Sequence, residues 1–472
     1  MAPNIAQVDV HGGQCACGLQ HDPDVLHEHE VHEHQGLQQH GGGFRGLGWR
    51  YPDRKKGLFA SVDEWLEGRR QVDGAEGLWR VDDNLYDLTP FMERHPGGPH
   101  WLQLTKGTDI TEVFYLHHIT DAAEAALPKF LVRRAAAPRN SPFTFHRDGF
   151  YMQLRARTRK LLEHIPKEAI LEAQARSKLI VDSLAAAALL ACVAAGYLNS
   201  FLVAVLAGLL VSLTASGAHN FFHQKHNWRR YLFELSLMSS REWMVSHALS
   251  HHIFTNTLQD LEITFFEPVI AFLPYPDKPA VVRYASWVYC VVLYAALAHG
   301  QVMKRVMAMR VEWTDAVGLL VPACLLLGGA SLLDAWLLWT YILIVSSLYF
   351  AFQGLTAGHH HPDKYHEGDA LGADMDYGLM QLAATSDCSG VRSKDSLAMS
   401  ITHFGDHLMH HLFPGVDHAV LRLLEPALLE TLEEYRLPAT TVPFWEAVWG
   451  KYRQMARVTP KRGLNHAVLP QH

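Results

Sequence analysis

Near its C-terminal end the chain reads His403-Phe-Gly-Asp-His407-Leu-Met-His410-His411-Leu-Phe-Pro414, which places four histidines within nine residues. Side chains three and four residues apart lie on one face of an α-helix, so these imidazoles can turn toward a common point. Neutral imidazole is a good ligand for iron, zinc, copper and nickel. Taken alone, the stretch is equally typical of a solvated, histidine-rich helix end.

Histidines elsewhere in the chain form further clusters. The chain has 31 histidines in 472 residues, a rate that predicts about two between residues 219 and 252, where six occur. They stand as His219-Asn-Phe-Phe-His223 and His247-Ala-Leu-Ser-His251-His252, with His226 nearby. A third cluster, His359-His360-His361, follows a long apolar run. The pairs four residues apart favour helix faces that carry metal-binding imidazoles.

Charge and cysteine content exclude several classes of protein. The net charge of −7 provides no basic surface for a nucleic acid, so we expect no nucleic-acid partner. Six scattered cysteines form no disulfide framework, which is typical of a reducing compartment. The first residues lack a basic start followed by an apolar core, so we expect no signal peptide. Membrane insertion would then begin at the first apolar run.

Apolar runs predict a membrane domain with spans at about 179–198, 200–218, 316–333 and 336–356. About twenty helical residues cross a hydrocarbon core. The first two runs could instead be buried helices of a large soluble domain. A basic connector, residues 136–178, precedes them, and the positive-inside rule therefore places the N-terminal side in the cytosol.

The position of the histidines restricts the topology. Those before residue 253 and those after residue 402 can share a metal site only if both sets lie on one side of the membrane. An even number of crossings must therefore separate them. We assign these crossings to 316–333 and 336–356, and we expect the shorter apolar run 284–299 to lie at the membrane interface.

The N-terminal part of the chain contains two different segments. Residues 1–45 are rich in His, Gly and Gln and have too few apolar residues for a core, so we expect a disordered tail. Residues 46–135 predict a small α+β domain, in which two short strands flank Asp82-Asp83-Asn84. Within it, Pro96 and Gly97 fix a tight turn directly after His95.

This small domain resembles cytochrome b5 in Tyr86-Asp87-Leu88, His95-Pro-Gly-Gly98, Gly107-Thr108-Asp109, Phe114 and His118. The resemblance implies a haem b that is ligated from both sides by His95 and His118, and not by the neighbouring His117. Because bis-histidine ligation fills both axial positions, such a haem carries electrons and does not bind oxygen. The alternative is a structural His-Pro-Gly-Gly turn without haem.

The number of clustered histidines favours two metal ions. Eight or nine imidazoles exceed the roughly four to six ligands that one ion accepts. Soluble di-iron bundles use carboxylates, but this sequence has almost no acidic residue beside the clusters except Asp406. A pair of irons bound by imidazoles alone is therefore the better interpretation.

The segments HNFFH, HALSHH and HLMHH resemble the three histidine boxes of the membrane fatty acid desaturase superfamily, over about residues 140–430. SHALSHH and HFGDHLMHHLFP are similar to an insect branch of it, the cytochrome b5-related group. The resemblance implies two non-haem iron ions with these ligands: His219, His223, His247, His251, His252, His359, His407, His410 and His411. His360 or His361 could replace His359. His226 and His403 would orient ligands or lie on the surface.

The resemblance also implies the architecture. We expect a multidomain chain in which the tail 1–45, the α+β haem domain 46–135 and the connector 136–178 precede an all-α, four-span desaturase-like domain at 179–430 and a C-terminal tail at 431–472.

The implied activity is oxygen-dependent desaturation of an acyl lipid or acyl-CoA, with no catalytic residues beyond the metal ligands. Cytochrome b5 reductase would supply electrons. The enzyme would lie in the endoplasmic reticulum membrane, with its haem domain and histidine boxes in the cytosol. His407 stands where front-end desaturases usually have Gln, so the position of the double bond stays open. Lipid hydroxylation, or a non-catalytic membrane-anchored haem electron carrier, are the alternatives.

Overall fold

A computed structural model describes residues 46–51, 61–225, 227–356, 358–371 and 375–462. The expected disordered tail, 1–45, and His226 lie outside these described residues. Within them the predicted order is confirmed, since a small α+β domain precedes a mostly helical one.

The N-terminal domain packs short helices against a three-stranded antiparallel sheet, in which β1 (Trp79–Val81), β2 (Asn84–Tyr86) and β3 (Leu131–Arg134) lie side by side in that order. Asp82 turns the β1–β2 hairpin with a φ of +51°, a conformation that Asp tolerates better than most residues. Trp79, Leu102 and Phe114 are buried in its core. Its elements are α1 (Val62–Val72), β1 (Trp79–Val81), β2 (Asn84–Tyr86), a 3-10 helix (Thr89–Arg94), α2 (Pro99–Thr105), α3 (Thr111–His117), α4 (Ala122–Ala126), a 3-10 turn (Leu127–Phe130) and β3 (Leu131–Arg134).

The C-terminal domain combines long apolar helices with short helices and turns that carry the histidines. Its elements are α5 (Phe150–His164), α6 (Lys167–Leu198), α7 (Phe201–Ala218), two 3-10 helices (His219–Phe221, Trp228–Ser236), α8 (Ser240–Trp243), a π-helical turn (Met244–His251), α9 (His252–Phe254), α10 (Leu261–Thr264), a second π-helical turn (Val281–Ala285), α11 (Ser286–Ala295), α12 (Leu297–Met307), a 3-10 helix (Trp313–Leu319), α13 (Leu320–Leu327), α14 (Leu332–Gly354), α15 (Tyr377–Ala384), β4 (Asp387–Ser389), α16 (Leu397–Thr402), α17 (His407–Leu412), α18 (His418–Glu434), β5 (Thr441–Pro443) and α19 (Phe444–Ala456).

Small residues allow the long helices to approach closely. A Cβ on Gly208 of α7 would lie 2.7 Å from Val345 Cβ of α14, so a larger residue would force the helices apart. Leu202 faces outward and is 81% exposed, whereas Ala204 is fully buried. A leucine-rich exterior around an alanine-rich contact surface is expected for helices surrounded by lipid.

Among the described residues, α6, α7 and α14 are long and apolar enough to cross a membrane. A fourth crossing exists if the bent pair Val281–Ala295 and Leu297–Met307, whose halves meet at 63°, forms one span. Of the run 316–333, expected to span, residues 316–327 instead lie on the shorter helix Trp313–Leu327, and Leu332 and Leu333 belong to α14. Gly329, with a φ of +97°, follows α13 and ends it early.

Segments expected to be a connector and a tail are folded onto the C-terminal domain. Helix α5 lies within the connector and buries Tyr151 and Leu154. In α19, Met455 is fully buried, and Gln454 donates to the carbonyl of Phe272 at 2.6 Å. Helix α19 therefore supports the loops that surround the histidines.

Candidate functional site

The nine histidines predicted as metal ligands lie on four separate segments, and all of them are buried. His219 and His223 follow α7, and His359 follows α14. The second box lies on the π-helical turn and the start of α9, and the third lies on α17. The structure brings all four segments together, so the early and late clusters share one site.

One group contains His219, His223, His247, His252 and His410, whose nearest ring nitrogens all lie within 4.8 Å of one another. His219 Nε2 lies 2.7 Å from His247 Nε2 and 3.0 Å from His410 Nε2. His252 Nε2 lies 3.0 Å from His247 Nε2. Nitrogens that each bond one metal at about 2.0–2.1 Å would be separated by similar distances. We call these five residues the first group.

A second group lies beside the first. His251, His359 and His411 have ring nitrogens within 4.8 Å of one another. His407 belongs with them, because its Nε2 lies 2.5 Å from His359 Nε2. His252 and His411 stack between the groups with ring centroids 4.1 Å apart. We call the two groups together the candidate metal centre, or metal centre for short.

The π-helical turn explains how the second box serves both groups. Helical spacing predicted that His247 and His251 share one face, and their rings do stack, with centroids 5.3 Å apart. The wider turn in addition places His247 with His252 in the first group, while His251 joins the second. Such π-helical turns are rare and are often found at functional sites. The sequence spacing alone predicted an ordinary α-helix at this position.

Acidic and polar side chains orient these imidazoles. His247 Nδ1 donates to Glu262 at 2.7 Å, and His251 Nδ1 donates to Asp260 at 2.9 Å. His411 Nδ1 lies 3.1 Å from the Gln381 side-chain oxygen. The expectation that almost no carboxylate lies beside the clusters is therefore wrong. Asp260 and Glu262, which follow the second box closely in sequence, were the available signal.

Asp406, which the sequence had singled out, has a different role. Its carboxylate accepts from the backbone N–H of Ser393 at 3.0 Å and from the Ser400 hydroxyl at 3.2 Å. Its φ of +48° sets the turn immediately before α17. Asp406 therefore fixes the loop that leads into the third box.

Burial keeps most of the metal centre uncharged. It lowers the pKa of His223, His252 and His410 well below the usual range, because a charged imidazole loses its hydration there. Burial opposes charge on His251 too, but Asp260 and Glu262 outweigh it and raise the pKa of His251 to about 9. The lone pairs of the neutral imidazoles thus remain available to metals.

The donor set fits a pair of metal ions. Within the described part of the chain, both ring nitrogens of His223 and the Nε2 of His411 are buried without a hydrogen-bond partner. Unpaired polar atoms in an interior are costly unless a ligand satisfies them. Nitrogen donors in two adjacent groups suit iron or zinc rather than magnesium or calcium.

The two histidines predicted to bind haem face each other in the N-terminal domain, with ring centroids 6.2 Å apart. This separation admits one iron atom bonded to a nitrogen on each side at about 2 Å. His95 Nδ1 donates to the Gly98 carbonyl at 3.0 Å, and His118 Nδ1 donates to the Phe114 carbonyl at 2.9 Å. Both Nε2 atoms are therefore free to ligate, and the residues fit haem.

Local structure prepares this haem site. A Cβ on Gly97 would lie 2.9 Å from His95 Cε1, so the glycine makes room for the imidazole. Burial lowers the pKa of His118 to about 4, which keeps the ring neutral. Phe114 packs against His118 with ring centroids 4.8 Å apart. We call His95 and His118 the candidate haem site, or haem site for short.

The remaining histidines of the boxes are separate from the metal centre. His360 stacks on Phe272 at 3.9 Å, and His361 donates to Glu446 at 3.1 Å, so neither joins the second group with His359. His403 contacts the Tyr349 hydroxyl at 3.2 Å. His418, which sequence reasoning missed, donates from Nδ1 to Asn220 at 2.9 Å, with its ring 4.7 Å from that of His410.

A cavity of about 140 Å³ ends at the metal centre. His247, His251, His359 and His407 form part of its wall. The rest of the lining is mainly apolar and aromatic and comes from α8, α12, α14 and their neighbours: Phe233, Met238, Trp243, Leu261, Phe265, Phe266, Leu297, Phe350, Leu355 and Phe404. Glu242, Gln301 and Lys304 add polar groups. Such a lining suits an apolar molecule with one polar end.

Comparison with known proteins gives two family matches. Residues 195–443 match the family model of fatty acid desaturases. Residues 66–136 match the model of the cytochrome b5-like haem/steroid-binding domain.

Individual relatives extend over most of the chain. A protein named cytochrome b5-related protein from Drosophila melanogaster is 39% identical over 424 residues, covering 88% of this chain and 96% of that protein. A protein of the same name from Drosophila virilis is 44% identical over 122 residues, which is 26% of this chain and 85% of that protein. A probable Delta(5) fatty acid desaturase C from Dictyostelium discoideum is 22% identical over 444 residues, covering 84% of this chain and 95% of that protein.

The histidine boxes, the long apolar helices and these matches agree. The chain belongs to the fatty acid desaturase family and carries an N-terminal cytochrome b5-like domain.

Proposed function

We propose that the protein is a membrane-bound, oxygen-dependent acyl-lipid desaturase that uses two histidine-bound irons and receives electrons from its own haem domain. The observation that carries this proposal is the meeting of the two buried histidine groups with the end of an apolar cavity. An acyl chain in that cavity would bring a methylene group next to the metal centre.

Family membership supports the reaction class. A relative that covers most of the chain is named a probable Delta(5) fatty acid desaturase, although it is only 22% identical. Irons bound in the centre would activate dioxygen and remove two hydrogens from adjacent, unactivated carbons. Acid–base side chains cannot do this, because the C–H bonds of a saturated chain are not acidic.

The residues around the centre would position the substrate and exclude water. Trp243 and Phe350 wall the cavity close to His247, and Phe404 lies beside His407. At the polar part, Lys304 pairs with Glu242 at 3.2 Å, beside Gln301. These groups offer hydrogen bonds to the head of an acyl lipid or acyl-CoA, while the aromatic walls hold its chain.

The electron supply and membrane orientation complete the proposal. His95 and His118 would hold haem b, which a cytochrome b5 reductase would reduce. The haem domain and metal centre are in contact, so both would lie on the same side of the membrane. The basic segment before α6 favours the cytosolic side of the endoplasmic reticulum.

Lipid mass spectrometry tests the function. The whole protein is expressed with a matched reductase in a desaturase-deficient host, and membrane lipids are compared with those of the double variant His410→Ala/His411→Ala. We expect new double bonds only with the unchanged protein, and the control His403→Ala should retain them, because His403 lies outside both groups.

The outcomes separate the alternatives. Alcohols in place of double bonds would identify a hydroxylase on the same scaffold. Unchanged lipids, together with haem but no non-haem iron in the purified protein, would instead support a non-catalytic electron carrier and contradict the proposed desaturase.

A further inference from the structure

His117 lies between the haem site and the metal centre. It directly precedes the haem-site residue His118, and its ring packs near that of His223, with centroids 5.9 Å apart and planes 24° apart. His223 belongs to the first group of the metal centre. The His117 ring therefore contacts His223 of the metal centre, and His117 directly precedes His118 of the haem site in the sequence.

Within the part of the chain that the structure describes, only one of the two ring nitrogens of His117 is held by a hydrogen bond. His117 Nδ1 donates to the Val113 carbonyl at 2.9 Å, which fixes the ring within α3. Its Nε2 is buried and has no hydrogen-bond partner among the described residues. Trp101 packs on another side, with ring centroids 6.2 Å apart. The ring is thus held by packing between aromatic neighbours.

Hydrogen bonds join the N-terminal and C-terminal domains on either side of the contact between His117 and His223. Arg155 of α5 donates from Nε to the His118 carbonyl at 3.0 Å. The Tyr151 hydroxyl lies 3.1 Å from the Leu412 carbonyl, at the end of α17, and 3.3 Å from the Tyr115 carbonyl in α3. A Cβ on Gly415 would lie 3.6 Å from His117 Cδ2, so the loop after α17 also closes against the ring.

We propose that His117 is the electron bridge between the haem site and the metal centre, an inference that rests on the proposed function. The route runs from His118 through the adjoining His117 and across its packed contact to His223. For each electron that passes, one ferrous haem becomes ferric and one ferric ion of the metal centre becomes ferrous. No bond forms or breaks and no proton moves. The reductase supplies the electrons, and dioxygen is the final oxidant.

Packing, rather than acid–base chemistry, makes the bridge. His117→Ala opens a gap between the domains, whereas His117→Phe keeps an aromatic ring there and loses only the Val113 hydrogen bond. Electron transfer should therefore slow severalfold in His117→Ala and remain close to that of the unchanged protein in His117→Phe. The variant His164→Ala, which removes an exposed histidine of α5, provides a control.

The experiment follows the haem spectrum of purified full-length protein without oxygen. The haem is reduced, the metal centre is left ferric, and the rate of haem reoxidation is recorded. Iron content, the haem spectrum and the rate of electron transfer from the haem to added soluble cytochrome c should not change in either variant. These readouts show whether haem, metal centre and fold remain intact.

Each outcome decides the inference. Slow internal reoxidation in His117→Ala, with unchanged transfer to cytochrome c, supports it. Equal internal rates in all variants, or equal slowing of both transfers, overturns it. If the unchanged protein contains no non-haem iron, the proposed function fails before any rate is measured, and the bridge fails with it.

Discussion

The haem site and the metal centre both use histidine, but the chain assembles them in opposite ways. His95 and His118 belong to one small domain, and each is oriented by a backbone carbonyl three or four residues away. The metal centre draws residues from His219 to His411, and side chains such as Asp260 and Gln381 orient it from other segments. The difference teaches that the first site depends on local turns and the second on the whole C-terminal domain.

Removal of a shared imidazole should break the metal centre completely without disturbing the haem site. His252 lies 3.0 Å from His247 and stacks at 4.1 Å on His411, so it touches both groups. In His252→Ala we expect loss of bound non-haem iron and of desaturation. The first group loses a nitrogen donor, and His411 of the second group loses the ring on which it stacks. Iron analysis and the visible haem spectrum measure both sites in one sample.

The matched control is His403→Ala, which removes a histidine from the same C-terminal stretch but outside both groups. It should retain iron. If His252→Ala kept a full complement of iron and activity, the two groups would not form the proposed centre.

The reciprocal change should remove haem and spare iron. The side chain of His118 donates only within its own domain, to the Phe114 carbonyl, while the hydrogen bond from Arg155 uses the backbone of residue 118. His118→Ala should therefore lose the haem spectrum and all reductase-driven desaturation but keep its non-haem iron. Loss of both cofactors together would show that the sites depend on each other for folding, and the contrast between them would then be wrong.

The same contrast explains what the sequence could predict. The tight turn at Gly97 and the spacing of His95 and His118 are local, so cytochrome b5-like residues predicted a site whose geometry fits haem. The resemblance to the desaturase histidine boxes likewise predicted the nine histidines that the structure brings together. The division into two groups was not predictable from α-helical spacing, because the π-helical turn also brings His247 beside His252, five residues further on, while His251 joins the second group.

Other features depend on contacts that sequence periodicity does not contain. Sequence periodicity does not single out Asp260 and Glu262, which lie just before and within the short helix α10, and only folding turns them back toward the second box. The third expected span was too long, because glycines end α13, while the run expected at the interface became part of a bent helical pair. Hydropathy measures how apolar a run is, but neighbouring helices decide where it bends.

Substitution of a carboxylate that orients an imidazole should weaken metal binding less than loss of a ligand does, and it should affect only the metal centre. In Asp260→Asn, the acceptor that holds His251 Nδ1 loses its charge. Changes to such orienting partners typically weaken metal binding about 10–100-fold, which we expect here. Titration with a competing chelator measures the affinity.

The control for this change is Asp395→Asn, which alters an exposed carboxylate on the loop before α16. It should leave metal affinity unchanged, and neither variant should alter the haem spectrum. Equal affinities in Asp260→Asn and the unchanged protein would show that the backbone alone orients His251, as it does the haem-site histidines.

The smallest effect concerns pH, and it should be shared by both regions. Burial raises the pKa of Glu367, in the C-terminal domain, and of Asp73, in the N-terminal domain, each to about 7. Each acid takes up its proton more readily when folded than when unfolded. Its contribution to the free energy of unfolding is therefore complete below its unfolded pKa, near 4–4.5, and is lost as the pH rises through about 7.

Thermal unfolding at pH 5 and pH 7 tests this sign. The amount by which the unfolding temperature of the unchanged protein exceeds that of Glu367→Gln should be a few degrees larger at pH 5 than at pH 7, because glutamine does not titrate. The variant should also be less stable at both pH values, since Glu367 accepts from the backbone N–H groups of Leu47 and Leu258 and an amide has only one oxygen to do so. The same comparison with Asp73→Asn should show the same sign in the N-terminal domain. The buried histidines, whose pKa values are lowered, act in the opposite direction, but they contribute alike to the unchanged protein and to both variants, so they cancel in each comparison. If neither difference grew at pH 5, the two acids would not hold their protons more tightly in the folded protein.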